Sequence, residues 1–400
     1  MKYIIVLGDG MADEPIQALD GKTPLEYANT PAMDELSKKG EIGMVHTIPE
    51  GMAPGSDTAN LSVMGYDPLV YYSGRSPLEA LSIGVPMKED DIAFRCNVVT
   101  LSEEDTEFEK RTIIDHSSSE ISTEDAAVLI NAVKKELAKE GYAFYVGTSY
   151  RHCLIWEKGQ VVPLTPPHDV LEQVIEPYLP TDVVLKDMMK KSYDILKEHP
   201  INVERKKQGL NPANCLWFWG AGTKPMLSDF REKTGKKGIM ISAVDLLKGI
   251  AVGAGMDNAY VEGANGGLHT NYEGKMQAAV KAVSEDGYDF AYIHVEAPDE
   301  MGHQGSVERK VQAIEYLDEK IIAPVVNNLK EKRIDFRILI LPDHPTPIRV
   351  RTHTADNVPF LLYDSTLEKD EKWLYNEKDA LDSGVFIDKG YTLIDKLFER

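Results

Sequence analysis

Four hundred residues, 42% apolar and 27% charged, can bury a sizeable core and are too many for one small domain, so a wholly disordered chain is excluded. With 65 acidic against 44 basic residues the formal charge is −21 at pH 7, which argues against a general nucleic-acid or anionic-membrane binder and leaves room only for local basic pockets. The three cysteines, Cys96, Cys153 and Cys215, are odd in number and far apart, and no apolar stretch approaches the roughly 18 residues of a membrane span, so the sequence points to a reduced, cytoplasmic protein without a disulfide framework or zinc ribbon.

Residues 3–7 form an apolar run that turns into Gly8-Asp9-Gly10, which predicts a buried strand and a turn, not a signal peptide. From about 91 to 180 the pattern is mixed. Strand-like pieces at 93–101, 142–147 and 153–156 surround one helix at 123–138, with Ser122 as N-cap and an acidic first turn. A proline-rich turn follows at 163–167, and a helix at 183–198 returns the chain to the core. Further apolar runs stand at 214–219, 238–242, 258–261, 290–295, 336–341 and 359–363, with helical patterns between several of them. The clearest is 306–332, where Val307, Val311, Ile314, Leu317, Ile321 and Val325 make one stripe. Short apolar runs alternating with helices read as strands buried on both faces. The expected fold is α/β, a doubly wound, mostly parallel sheet built by residues 1–90 and 181–400, with residues 91–180 as a small inserted α+β domain.

Five segments concentrate acids, histidines and one serine: Gly8-Asp9-Gly10-Met11-Ala12-Asp13, Pro54-Gly55-Ser56-Asp57-Thr58-Ala59-Asn60, Glu296-Ala297-Pro298-Asp299-Glu300-Met301-Gly302-His303, Pro342-Asp343-His344-Pro345 and Arg351-Thr352-His353-Thr354-Ala355-Asp356. Asp9, Asp299 and Asp343 each follow a predicted strand, and strand carboxyl ends are where open parallel sheets bind ligands. Asp and His without Cys suit a divalent ion such as Mn²⁺ or Zn²⁺. Asp299 and His303 are one helical turn apart, and the adjacent pair Asp343-His344 could feed two neighbouring ions. Two such ions can clamp the oxygens of an in-line phosphoryl displacement, and one beside Ser56 would make its hydroxyl a nucleophile. Each segment also has a plain structural reading. Asp-Gly after a strand can be only a turn, Asp-x-x-x-His only a surface pair, and Ser56 or Asp57 only a helix cap.

Taken together these motifs resemble the archaeal-type cofactor-independent phosphoglycerate mutases of the alkaline phosphatase superfamily. The resemblance spans essentially the whole chain. It extends to Lys22-Thr23-Pro24-Leu25, Leu61-Ser62-Val63-Met64-Gly65-Tyr66-Asp67-Pro68, Gly74-Arg75-Ser76-Pro77-Leu78-Glu79 and His294-Val295-Glu296. It implies an alkaline-phosphatase-like core and two divalent metal ions, Mn²⁺ first and Zn²⁺ or Co²⁺ otherwise. One ion would be held by Asp9, Ser56, Asp343 and His344, the other by Asp299, His303 and His353. Ser56 would be transiently phosphorylated. Substrate would be held by Arg75, Arg151, His152, Lys224 and Lys275, and fork-shaped arginine does suit phosphate or carboxylate. The implied activity is glycolytic interconversion of 3-phosphoglycerate and 2-phosphoglycerate without 2,3-bisphosphoglycerate, with His116 or His152 carrying the proton. No nucleic-acid or membrane partner is expected, and the oligomeric state stays open.

Two positions depart from the archaeal pattern. Ala59-Asn60 stands where Ala-His is expected after the nucleophile, and Asp115-His116-Ser117-Ser118-Ser119-Glu120-Ile121-Ser122 replaces an arginine-containing run. These departures look like a bacterial branch with proposed homoserine kinases. The alternative is therefore a homoserine kinase-like phosphotransferase on the same two-metal site, although no Walker loop is present. A phosphomonoesterase or phosphodiesterase is the third reading.

Overall fold

A computed structural model describes residues 1–104, 106–367 and 369–399. In chain order its strands are β1 (Lys2–Gly8), β2 (Glu41–Val45), β3 (Ile92–Leu101), β4 (Ile113–Asp115), β5 (Tyr142–Thr148), β6 (Arg151–Trp156), β7 (Cys215–Thr223), β8 (Gly238–Ile241), β9 (Asp257–Asn258), β10 (Phe290–Val295), β11 (Phe336–Leu341), β12 (Val358–Asp364) and β13 (Phe386–Ile387). The chain forms two compact units, Met1–Tyr72 with Met226–Arg400, and Ser73–Pro225. Among the described residues no helix is long and apolar enough to cross a membrane.

The first unit is built on an eight-stranded sheet in the order β13-β2-β12-β11-β1-β10-β8-β9. Its centre is parallel, with β1 between β10 and β11 and β8 beyond β10, while β12 runs antiparallel to both neighbours. Every residue of β10 is buried, as is every residue of β1 after Lys2, because helices cover both faces. The two sheet edges are strands of only two residues, too short to template pairing with another chain. Register places Leu7 opposite both His294 and Leu341, so β1, β10 and β11 end side by side. The expected long helix is present but interrupted. Val307–Leu317 and Ala323–Glu331 flank a wider π-turn, Asp318–Ile322. Pro324 follows at once; it lacks an N–H and crowds the preceding turn, which a locally widened helix relieves.

The second unit is an antiparallel sheet organised around β3, which pairs with β4, β6 and β7, while β5 pairs with β6. The helix Thr123–Leu137 is capped as expected, Ser122 Oγ accepting from Asp125 N at 3.1 Å. Two expectations differ here. The run at 214–219 belongs to β7 of this sheet and not to the parallel sheet, and the helix Val183–Leu196 buries Leu185, Met188 and Met189 in the same apolar cluster as Trp217 and Phe218. The inserted unit is therefore 73–225, larger than 91–180. A short apolar run looks the same in either sheet, because only its partner distinguishes them.

Candidate functional site

Asp9 leaves β1 with its N–H bonded to the Val295 carbonyl at 3.0 Å. Gly10 then turns at φ +61°, and a side chain there would collide with Thr346 Oγ1 and lie 2.7 Å from the Asp299 Cα, so the position requires glycine. Its N–H donates to Asp343 Oδ1 at 3.2 Å, tying the ends of β1 and β11 together. Asp299 and His303 lie on the helix Ala297–His303, with His303 Nε2 3.1 Å from Asp299 Oδ2, as their four-residue spacing predicts. Ser56 is the first residue of the helix Ser56–Val63, and the N-cap is Gly55. Ser56 thus does not cap its helix; its Oγ lies 3.1 Å from His344 Nε2.

All seven residues expected to hold metal converge. The His344 Nε2 atom lies 3.4 Å from Asp343 Oδ2 and 3.6 Å from Asp9 Oδ1. On its other side the His344 and His353 rings are 4.0 Å apart, centre to centre. His353 Nε2 is 3.4 Å from Asp299 Oδ1 and 3.1 Å from His303 Nε2. Two sets of possible ligand atoms result, each within 4.8 Å: Asp9, Asp343 and His344, and Asp299, His344 and His353. His344 belongs to both sets, and His303 adjoins the second through Asp299 and His353.

The cluster's electrostatics favour cations. Burial pushes the Asp9 carboxyl well above the usual carboxylate range, and Asp343, Asp299 and Glu296 push it further. Burial also raises Asp299, but hydrogen bonds from His303 and His353 outweigh it and hold that carboxyl well below. The same hydrogen bond lifts His303 to about 9. Asp9 Oδ1 is buried with no hydrogen-bond partner among the described residues. An orphaned carboxylate oxygen amid other acids and facing imidazole nitrogens is the donor set of a divalent cation, and it is costly without one.

Other side chains hold these groups in place. Burial depresses the His294 pKa to about 3, so its ring is neutral. It donates Nε2–H to Asp9 Oδ2 at 2.9 Å and accepts at Nδ1 from the Ser242 hydroxyl at 3.2 Å. Thr346 Oγ1 donates to Asp299 Oδ1. Asn60 Nδ2 donates to Asp343 Oδ2, and Tyr292 Oη donates to Asn60 Oδ1. Sequence reasoning missed these supports. The signal available was the alternation of Tyr292 and His294, two polar groups on one face of an otherwise apolar strand.

The expected substrate residues part company. Lys275 lies in the first unit on the helix Tyr272–Ser284, is wholly buried, and donates Nζ–H to the His294 carbonyl at 2.9 Å. Burial lowers its pKa to about 8. It supports β10 and offers no surface to a substrate, a correction to the sequence reading. In the second unit His152 is buried too; its Nδ1 accepts from Gly147 N at 3.0 Å, and burial lowers its pKa to about 4. Lys224 follows directly after β7, half-buried. Arg75 and Arg151 do gather, around a carboxylate that sequence reasoning missed. Arg75 Nε donates to Glu79 Oε1 at 2.8 Å, and Arg95 Nη1 lies 3.2 Å from the same oxygen. Burial raises the Glu79 pKa, but Arg95, Arg75 and Arg151 together outweigh it and hold it down. Arg95 lies over the Trp219 ring at 4.8 Å, and Arg151 over Tyr150 at 5.4 Å. His116 completes this basic, aromatic cluster, 5.8 Å from Tyr150 and 6.1 Å from His168, which packs on Trp219.

Comparison with known proteins shows the family. The family model of 2,3-bisphosphoglycerate-independent phosphoglycerate mutase matches residues 37–202. A 2,3-bisphosphoglycerate-independent phosphoglycerate mutase of Methanosarcina barkeri is 48% identical over 98% of this chain and 98% of its own. A probable enzyme of the same name from Geobacter sulfurreducens is 44% identical over 100% of both chains. The solved structure of a Pyrococcus horikoshii protein superposes with a TM-score of 0.81 at 31% identity, covering 99% of this chain and 96% of its own. The cofactor-independent phosphoglycerate mutase of Thermoplasma acidophilum gives 0.66 at 27% identity, covering 99% of each.

Proposed function

The chain belongs to the family of 2,3-bisphosphoglycerate-independent phosphoglycerate mutases, and from that membership we propose how its own residues carry out the isomerisation. The enzyme interconverts 3-phosphoglycerate and 2-phosphoglycerate without 2,3-bisphosphoglycerate. The named relatives are mutases, which does not favour a homoserine kinase-like phosphotransferase.

The observation that carries the mechanism is Ser56, whose Oγ meets the acid–histidine cluster from the first position of its helix. Asp9, Ser56, Asp343 and His344 would hold one divalent ion, and Asp299, His303 and His353 a second. Oxygen and imidazole donors without thiolate fit Mn²⁺, and also Zn²⁺ or Co²⁺. Bound there, the ions would lower the pKa of the Ser56 hydroxyl and offset charge on the transferring phosphoryl group. Ser56 gives up its proton, and its Oγ bonds to phosphorus as the bond from phosphorus to the substrate's 3-oxygen breaks. That oxygen takes up one proton, so the half-reaction balances. The 2-hydroxyl then loses its proton and attacks phospho-Ser56, restoring the serine and giving 2-phosphoglycerate. His294 holds Asp9 in position as a neutral donor. Arg75 and Arg151, with Arg95 fixed behind them by Glu79, would receive the substrate's anionic groups, with Lys224 nearby in the chain. His152 is buried and held neutral, which leaves His116 as the proton carrier. The buried, unpaired Cys96, Cys153 and Cys215 suit a reducing, cytoplasmic setting.

The test is ³¹P NMR of Mn²⁺-loaded protein with 3-phosphoglycerate and no added 2,3-bisphosphoglycerate. A growing 2-phosphoglycerate signal, abolished by chelator, is expected. An unchanged spectrum, or inorganic phosphate as sole product, would overturn the assignment.

A further inference from the structure

Asn60 stands where the resemblance leads one to expect histidine, and it makes more contacts than a filler would. It lies one turn after Ser56 and is wholly buried. Its Nδ2 donates twice, to the Ser56 carbonyl at 2.8 Å and to Asp343 Oδ2 at 2.9 Å. Its Oδ1 accepts from the buried Tyr292 hydroxyl at 2.6 Å. The Ser56 carbonyl and the Asp343 carboxylate can only accept, so the amide cannot flip: both amine protons face them, and its oxygen takes the tyrosine proton. The other Asp343 oxygen accepts from Gly10 N and His344 N, at 3.2 and 2.9 Å. The carboxylate is thereby held from both ends, with Oδ2 left open toward His344 Nε2.

We propose that Asn60 and Tyr292 are a positioning pair that sets the Asp343 carboxylate and the start of the Ser56 helix together, so that cation affinity and nucleophile placement are tuned through one amide. The inference rests on the metal reading given above. The chemistry calls for two donors and one acceptor in a short planar group, which asparagine provides and imidazole does not. Neutrality matters as well. A cationic side chain at this place would compete with the metal for Asp343, whereas an amide orients the carboxylate and leaves its charge available.

The experiment is a double-mutant cycle of Asn60→Ala and Tyr292→Phe. Its readouts are Mn²⁺ affinity from the EPR signal of free Mn²⁺ without substrate, thermal unfolding in chelator, and turnover with Mn²⁺ saturating. Each single variant should weaken Mn²⁺ binding about tenfold, as changes behind a metal ligand commonly do. The double variant should bind no worse than Asn60→Ala, because the tyrosine acts through the amide. At saturating metal kcat should fall while KM holds. Mn²⁺ affinity within twofold of the parent in both singles, with only the melting temperature lowered, would overturn the proposal and leave a purely structural contact. Should Asn60→Ala fail to fold, Tyr292→Phe, which removes one oxygen, decides alone. A parent chain that binds Mn²⁺ but does not isomerise phosphoglycerate would overturn the functional reading; weakened Mn²⁺ binding in the variants would still support this one.

Discussion

In the first unit, acids and histidines meet where parallel strands end; in the second, arginines gather on one face of an antiparallel sheet. The first arrangement is a product of topology. Parallel neighbours β1, β10 and β11 deliver Asp9, the Asp299 helix and Asp343 to one edge, and each contributes from its own strand terminus. The second is a product of register. Arg95 faces Trp219 across β3 and β7, and Asn97 faces Arg151 across β3 and β6, so the cluster exists only when three strands align to the residue. The charge logic is reversed too. The edge cluster has carboxylates in excess and calls for cations, whereas the sheet-face cluster surrounds one carboxylate, Glu79, with three guanidinium groups and can receive an anion.

The largest effect that could break this division of labour is at the edge cluster. Ser56→Ala should reduce isomerisation at least about a thousandfold while leaving the fold in place. Steady-state rates with a chelator control check it; retained full activity would remove the phosphoserine step. Next comes metal itself. At a hundredfold excess over its dissociation constant, Mn²⁺ should stabilise by about 2.7 kcal/mol. Hydrogen exchange with and without Mn²⁺ should show added protection in β1, β10 and β11 and little in β3, β6 and β7. Equal protection in both units would mean that the cation is not confined to the sheet edge.

This contrast also decides how much could be read without coordinates. Asp9, Asp299 and Asp343 after apolar runs, and Ser56 beside glycine, were legible as local signatures because parallel strands bring such endings together, whereas the full set of seven positions came only from the family resemblance. Asn60, Tyr292, His294 and Thr346 were not legible as supports, since their partners lie across the sheet and only the register identifies them. Arg95 reads in the sequence as an odd charge in an apolar run; the Glu79 that stabilises it sits on a different element. Lys275 was expected at the substrate only through the resemblance, and only the helix's orientation shows that its ammonium points under β10. The placement of β7 failed for the same reason: pairing is not encoded in a strand's own apolar pattern.

Glu79→Gln sharpens the comparison from the other side. It leaves Arg95 buried beside a neutral amide. The cost should be about 2 kcal/mol, below the ~3–5 kcal/mol of a fully buried pair because the Glu79 side chain keeps 19% of its surface exposed. With the guanidinium groups no longer gathered, KM for 3-phosphoglycerate should rise about tenfold while Mn²⁺ affinity stays within twofold. A change in metal affinity without a change in KM would show that the two clusters do not divide the work as described.

The smallest expected effect concerns the turn that carries His116. Ser118, Ser119 and Glu120 adopt φ of 51°, 56° and 47°, three successive left-handed residues of a kind that costs about 1–2 kcal/mol each. Asp115 holds the turn. Its Oδ1 accepts from Ser117 N and Oγ, at 2.8 and 2.9 Å, and its Oδ2 from Ser119 N and Asn211 Nδ2, at 2.6 and 2.9 Å. Burial raises the Asp115 pKa, but these bonds outweigh it and bring the carboxyl to about 2, below its ordinary 3.8. A carboxyl depressed on folding contributes stability that is fully present above its unfolded value. That contribution should fade as pH falls from about 4 toward 2. Asp115→Asn should therefore lower the melting temperature at neutral pH by about 3 °C, with a shallower loss between pH 4 and 2 than in the parent. It should slow turnover a fewfold through His116 and leave Mn²⁺ binding untouched. Identical acid slopes in the two proteins would mean that the strained turn is held by the surrounding packing and not by the aspartate. The second unit would then fix His116 as it fixes its arginines, through the alignment of strands and not through a local cap.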